Sequence, residues 1–199
     1  MGSRGGRVRQ KKDAPLRSDA QRNRERILEV ALAELTRSAD APLSSIAKKA
    51  CVGQGTFYRH FPSREALVLE IYRHEMRQVA DSAAPLLESR EPDRALREWM
   101  DRLARFAMTK AGLADAIRQA TSAPGQPAKP GHTPVTEAAE LLLRAAEEAG
   151  TIRPGITADD LFLTIGGLWT IDPHTDWQPR AARLLDFVMD GLRVGAPGR

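Results

Sequence analysis

The side chains with the most chemistry to offer lie close together, between Leu43 and Leu67. Gln54 carries an amide that can pair bidentately with an adenine edge, and Thr56 adds a hydroxyl two residues on. Tyr58 and His60 are aromatics with polar tips suited to phosphate oxygens. Ser44, Ser45, Lys48 and Lys49 precede them, and Arg64 follows at the start of a helix, where free N–H groups and the dipole favour an anion. These groups bind; they do not form a catalytic set. The histidines His60, His74, His132 and His174 have no metal-ligand spacing with one another or with Cys51. Gly53-Gln54-Gly55 lacks the third glycine and the preceding strand of a dinucleotide site, and neither G-x-S-x-G nor a P-loop occurs. The expectation is a non-enzyme with no cofactor and no metal.

Such groups need a rigid carrier, and the apolar periodicity supplies helices throughout. Ile27, Val30, Ala31 and Leu35 define a helix from Asp19 to about Ser38, and Leu43, Ile46, Ala47 and Ala50 a short one ending near Ala50. Gly53 and Gly55 mark a turn, Thr56–Phe61 forms a very short helix, and Ser63 caps a fourth. Two short helices about a tight turn make a helix-turn-helix, whose second helix fits a major groove about 12 Å wide. Beyond it, helices are expected from Glu91 toward Gly112, over Leu113–Thr121, over Val135–Ala149 with Gly150 as left-handed cap, from Thr157 to about Ile171 and over Arg180–Val194. The four prolines and two glycines of residues 122–134 read as a mobile loop. The fold class is all-α with about nine helices: an arm over 1–18, a helix-turn-helix domain over 19–66, a ligand-binding and dimerisation domain over 67–194, and a tail over 195–199.

Charge agrees with that division. Residues 1–26 hold nine basic and three acidic side chains, while residues 81–199 hold 14 basic and 17 acidic. A basic arm releases counterions at phosphates, or simply solvates the chain; charge alone leaves both open. A single cysteine in 199 residues excludes a disulfide framework and points to a reducing compartment. No apolar run is long enough for a membrane span and no signal peptide is present, so a soluble, cytoplasmic protein with no membrane partner is expected. A helical interaction module whose basic arm meets a membrane or partner is the alternative, but it gives the glycine turn and Thr56–Phe61 no task.

Ile46-Ala47, Ala50, Val52, Gly55-Thr56, Tyr58-Arg59-His60-Phe61 and Glu65-Ala66-Leu67 together resemble the signature of TetR-family transcriptional repressors. The resemblance implies a homodimer that binds a double-stranded, pseudo-palindromic operator and is released by a small-molecule effector, with a regulator of this family that senses no small molecule as a further alternative. It implies DNA contacts from Gln54, Gly55, Thr56, Tyr58 and His60, joined by Arg64, Ser44, Lys48 and Arg22. Phe57 and Phe61 are expected in the core. Cys51 and Pro42 depart from the family's usual Gly and Ser or Thr; Ser44 or Ser45 is expected to replace the hydroxyl lost at Pro42. For an effector pocket the apolar candidates are Trp99, Leu103, Phe106, Leu113, Ile117, Phe162, Ile165 and Trp169, with Gly166-Gly167 marking a close approach of a helix or ligand. If the family pattern holds, the last two helices form a four-helix bundle with a partner through Leu185, Val188, Met189 and Leu192.

Overall fold

The computed structural model describes residues 13–109, 132–172 and 175–198, with side chains from Gln21 onward except those of Ala107, Thr109, His132 and Trp169. Among them are nine α-helices and no strand: α1 Asp13–Arg37, α2 Leu43–Lys49, α3 Gln54–His60, α4 Arg64–Asp81, α5 Ala83–Ser89, α6 Pro92–Thr109, α7 His132–Glu148, α8 Ala158–Ile165 and α9 Trp177–Arg193, with a 3₁₀ turn over Gly166–Thr170. The expected helix Leu113–Thr121 and most of the expected loop over 122–134 lie outside the described residues.

Two apolar cores organise these helices and meet within α4. The first joins Ile27, Leu28, Ala31 and Leu35 of α1 to Ile46 and Ala47 of α2, Phe57 of α3, the following Phe61, and Leu67, Val68 and Ile71 of α4. The second begins at Met76 and Val79 and runs through Trp99, Met100, Leu103, Leu142, Leu161, Ile165, Leu185 and Met189. Within it the Trp99 indole N–H donates to the Val79 carbonyl at 2.9 Å. The buried ring therefore leaves no orphan donor. Arg193 of α9 grips Asp93 of α6 through Nη2 at 2.6 Å and Nε at 3.1 Å.

Local chemistry explains most boundaries. The Ser63 hydroxyl accepts from the Ala66 N–H at 3.1 Å and caps α4. Thr157 and Asp160 form a reciprocal capping box at α8. Gly150 ends α7 at φ +67°. Its own N–H bonds Glu147 O at 2.8 Å and the Thr151 N–H bonds Ala146 O at 2.9 Å. That pairing is the Schellman arrangement.

Other expectations are corrected. The helices α1, α7 and α9 begin earlier than expected, and each has proline as its third residue: Pro15, Pro134 and Pro179. Proline in a first turn lacks only an N–H that has no helical partner there, so it opens a helix instead of barring one. Pro134 therefore belongs to a helix and not to the loop. Pro85 cannot bond back to Asp81, and the chain divides near Ser82 into α4 and the unforeseen α5. The helix expected to reach Ile171 tightens to 3₁₀ at Gly166. A Cβ built at Gly166 or Gly167 meets nothing within 4 Å, so neither glycine marks a close approach within the chain.

Candidate nucleic-acid interface

The turn between α2 and α3 owes its geometry to Cys51, not to the glycines. Cys51 stands at φ +53°; its N–H bonds Lys48 O and the Val52 N–H bonds Ala47 O, each at 3.0 Å. This is the same Schellman arrangement that Gly150 closes at α7, here with a β-carbon in the left-handed region. Gly53 has an ordinary extended backbone and serves as N-cap of α3, while Gly55 lies inside that helix. Arg26 of α1 donates from Nε to Ala50 O at 2.9 Å and fastens the turn to the first core. Cys51→Gly is expected to raise stability by about 0.5–1 kcal/mol, the left-handed strain removed less the added chain entropy. A denaturant titration in which the midpoint stays put or falls would refute that balance.

The turn presents a seven-residue helix with one face committed inward. Phe57 is 0% exposed, and Phe61, just past the helix, is also buried; their ring centroids lie 5.7 Å apart. Gln54, Gly55, Thr56, Tyr58, Arg59 and His60 are all exposed. Tyr58, 44% exposed, packs edge-on against Phe57 with ring centroids 5.6 Å apart. The contact steadies the phenol while leaving its hydroxyl outside. The structure thus leaves Gln54, Gly55, Thr56, Tyr58 and His60 all exposed around the outer side of α3. Ser44 and Lys48 are exposed on α2, and Arg22 on α1.

Intramolecular acceptors sort the cations around this surface. Arg64 donates from Nη1 to Ala39 O at 2.7 Å and from Nη2 to Ala41 O at 2.6 Å. Its guanidinium therefore holds the loop ahead of α2 against the start of α4, which commits two of its donors within the chain. Lys49 meets Glu34 at 2.5 Å, and the Lys49 hydrogen bond holds the Glu34 carboxyl below its usual range. Arg24 pairs with Glu70 of α4 at 3.0 Å and lies over the Phe61 ring. Burial pushes the Glu70 carboxyl up, but the Arg24 hydrogen bond and the charges of Arg24, Arg73 and Arg77 more than offset it and leave it lowered. The α1–α4 clasp is accordingly present above the carboxylate range and loosens as pH falls through the folded-state value. Arg59, which the motif reading leaves aside, is exposed and has no ion-pair partner among the described residues.

The second half places its candidates differently. Trp99, Leu103 and Ile165 are sealed in the second core, with Phe106 and Phe162 half-buried against it. Phe106 also borders a cleft of about 290 Å³ with Leu32, Val79, Ser82 and Arg102, and packs at a tilt against Tyr72 with ring centroids 5.9 Å apart. Leu113 and Ile117 lie outside the described residues, as does the Trp169 side chain. The partner-facing set needs correction: Leu185, Met189 and Leu192 are buried in this chain's own core, and Val188 packs against it. Helix α9 carries a second apolar stripe of Leu184, Phe187 and, just past its end, Val194, with Phe187 70% and Val194 65% exposed; Leu163 of α8 is 81% exposed. The longer stripe is spent on the chain's own interior.

A helix-turn-helix with its outer face bare, set on a larger helical body, defines a DNA-binding regulator. A family model described as bacterial regulatory proteins, tetR family, matches residues 27–71. Another, described as transcriptional regulator SbtR-like, C-terminal domain, matches residues 91–194. The chain is 39% identical to a TetR transcriptional regulator from Streptomyces coelicolor, at a TM-score of 0.74 over 85% of this chain and 98% of that one. It is 32% identical to a TetR regulatory protein from Mycobacterium vanbaalenii, at a TM-score of 0.69 over 90% and 99% of the respective chains. A TetR regulator from a Rhodococcus species is 25% identical, with a TM-score of 0.54 over 88% and 98%. No curated protein matches. The chain belongs to the TetR family of transcriptional regulators, as its motif implied. No described helix is long and apolar enough to cross a membrane.

Proposed function

We propose that the protein is a homodimeric repressor that places the α3 helix of each subunit in one of two successive major grooves of a pseudo-palindromic operator. The observation that carries this reading is the two-sided character of α3: Phe57 wholly buried, with Gln54, Thr56, Tyr58 and His60 all turned outward. In the bound state Gln54 and Thr56 address base edges, while Tyr58, His60, Ser44 and Lys48 address phosphates. Such a regulator works in the cytoplasm, where its DNA is.

The second copy is held through the outward stripe of α9 and the neighbouring α8. Leu184, Phe187, Gly191 and Val194 recur at helical spacing, and Gly191 has no atom near its absent Cβ, which lets another helix approach closely. A small-molecule effector in the second half releases the DNA by favouring a different separation of the two α3 helices. Linkage then requires effector and operator to weaken each other by one common factor, typically about 5–150-fold.

Selection of bound duplexes from a random pool tests the reading. Recovery of a two-fold symmetric site with half-sites about one helical turn apart is expected. Recovery of no preferred duplex would overturn it.

A further inference from the structure

We infer that Arg59 is a specificity-determining residue, reading a guanine in each half-site; this rests on the operator-binding reading above. Helical residues follow one another at about 100° around the axis, so two steps either way from Phe57 end about 160° from it. Gly55 and Arg59 occupy those two positions on α3. Gln54, Thr56, Tyr58 and His60 fall within about 100° of Phe57, on the two flanks. The ridge farthest from the core, the one that meets the floor of a groove, is therefore Gly55–Arg59. A Cβ at Gly55 would meet no protein atom within 4 Å, so nothing in the chain requires glycine there. Its bareness lets the α3 backbone approach DNA closely, and Arg59, one turn on, extends along the groove floor.

Among the arginines around this surface, electrostatics single out the same one. Arg24, Arg26, Arg64 and Lys49 are each committed to an acceptor inside the protein. Arg59 has no such commitment among the described residues, so its guanidinium reaches DNA without breaking a bond first. The planar fork matches the O6 and N7 acceptors of guanine bidentately and is pre-organised for them, whereas a lysine ammonium meets them only as a flexible point donor. Gln54, on the flank, reads a different position.

The test uses the full chain and the duplex that it selects from a random pool. Each guanine of one half-site is replaced in turn by 7-deazaguanine, which lacks the N7 acceptor but keeps its pairing. At one symmetric position the replacement is expected to weaken the parent by about 5–150-fold. Arg59→Ala is expected to bind the unmodified duplex weakly and to lose nothing further on that replacement, while Arg59→Lys keeps part of the affinity and part of the response. Arg59→Lys separates fork from charge, and both variants should melt with the parent, since the side chain is exposed. If Arg59→Ala keeps the parent's base preferences, or weakens every duplex equally, the guanine assignment is overturned while operator binding stands. If the parent selects no duplex, the operator-binding reading falls and this inference falls with it.

Discussion

Phe57→Ala is expected to abolish operator binding by dissolving the surface that carries it. Phe57 is the α3 side chain in the first core, wholly buried and packed against Phe61 and Tyr58. Truncating a buried phenylalanine costs about 3–5 kcal/mol, a large share of the roughly 5–15 kcal/mol typical of a domain. A helix as short as α3 has no stability of its own, so losing its anchor frees it entirely. Thermal melting followed by helical dichroism should show an early transition belonging to the first core. Tyr58→Ala is the contrast: its ring rests on the surface, so the melt should stay close to the parent's while DNA affinity drops. If Phe57→Ala melts with the parent, α3 is not held as described.

The second large effect is expected at the partner face. Phe187→Glu in combination with Leu163→Glu puts two charges on an exposed apolar surface and should leave the fold intact. Light scattering should then report a monomer, and affinity for a two-half-site duplex should fall by about 10²–10⁴-fold, because the second reading head no longer arrives tethered to the first. Leu185→Glu separates this surface from the core stripe. That substitution buries a charge and is expected to unfold the second half, not to yield a folded monomer. A double variant that remains dimeric would place the interface elsewhere.

What was legible from the residues differed by scale. The inward positions of the first core followed from periodicity, because Ile27, Ala31 and Leu35 recur at one helical face and Phe57 and Phe61 are too large and apolar to leave outside. The outward surface of α3 followed by subtraction. Helix ends were less legible wherever proline stood near them. Pro15, Pro134 and Pro179 open helices whereas Pro85 separates two, and residue type alone does not tell these cases apart. The role of Arg64 was hidden because its acceptors, the Ala39 and Ala41 carbonyls, stand far back along the chain and are brought to it only by the fold. The inward place of Leu185, Met189 and Leu192 was hidden for a related reason. Helix α9 carries two apolar stripes, and periodicity ranks the longer one first without saying whether it meets its own chain or another. Arg59 was overlooked inside a motif read as a unit; counting degrees from Phe57 would have put it at the outermost ridge of α3.

Operator recognition of this kind requires two α3 helices, at a separation set by the dimer, to engage one duplex at once. The most direct test is to insert five base pairs between the half-sites of the selected duplex, which turns one major groove to the opposite side of the helix. Affinity for the altered duplex is then expected to drop to that for a single half-site, and insertion of a full turn of ten or eleven pairs, which leaves each groove correctly facing but out of reach, should do the same. Undiminished binding after the five-pair insertion would contradict simultaneous engagement, since each helix would then be reading its half-site alone.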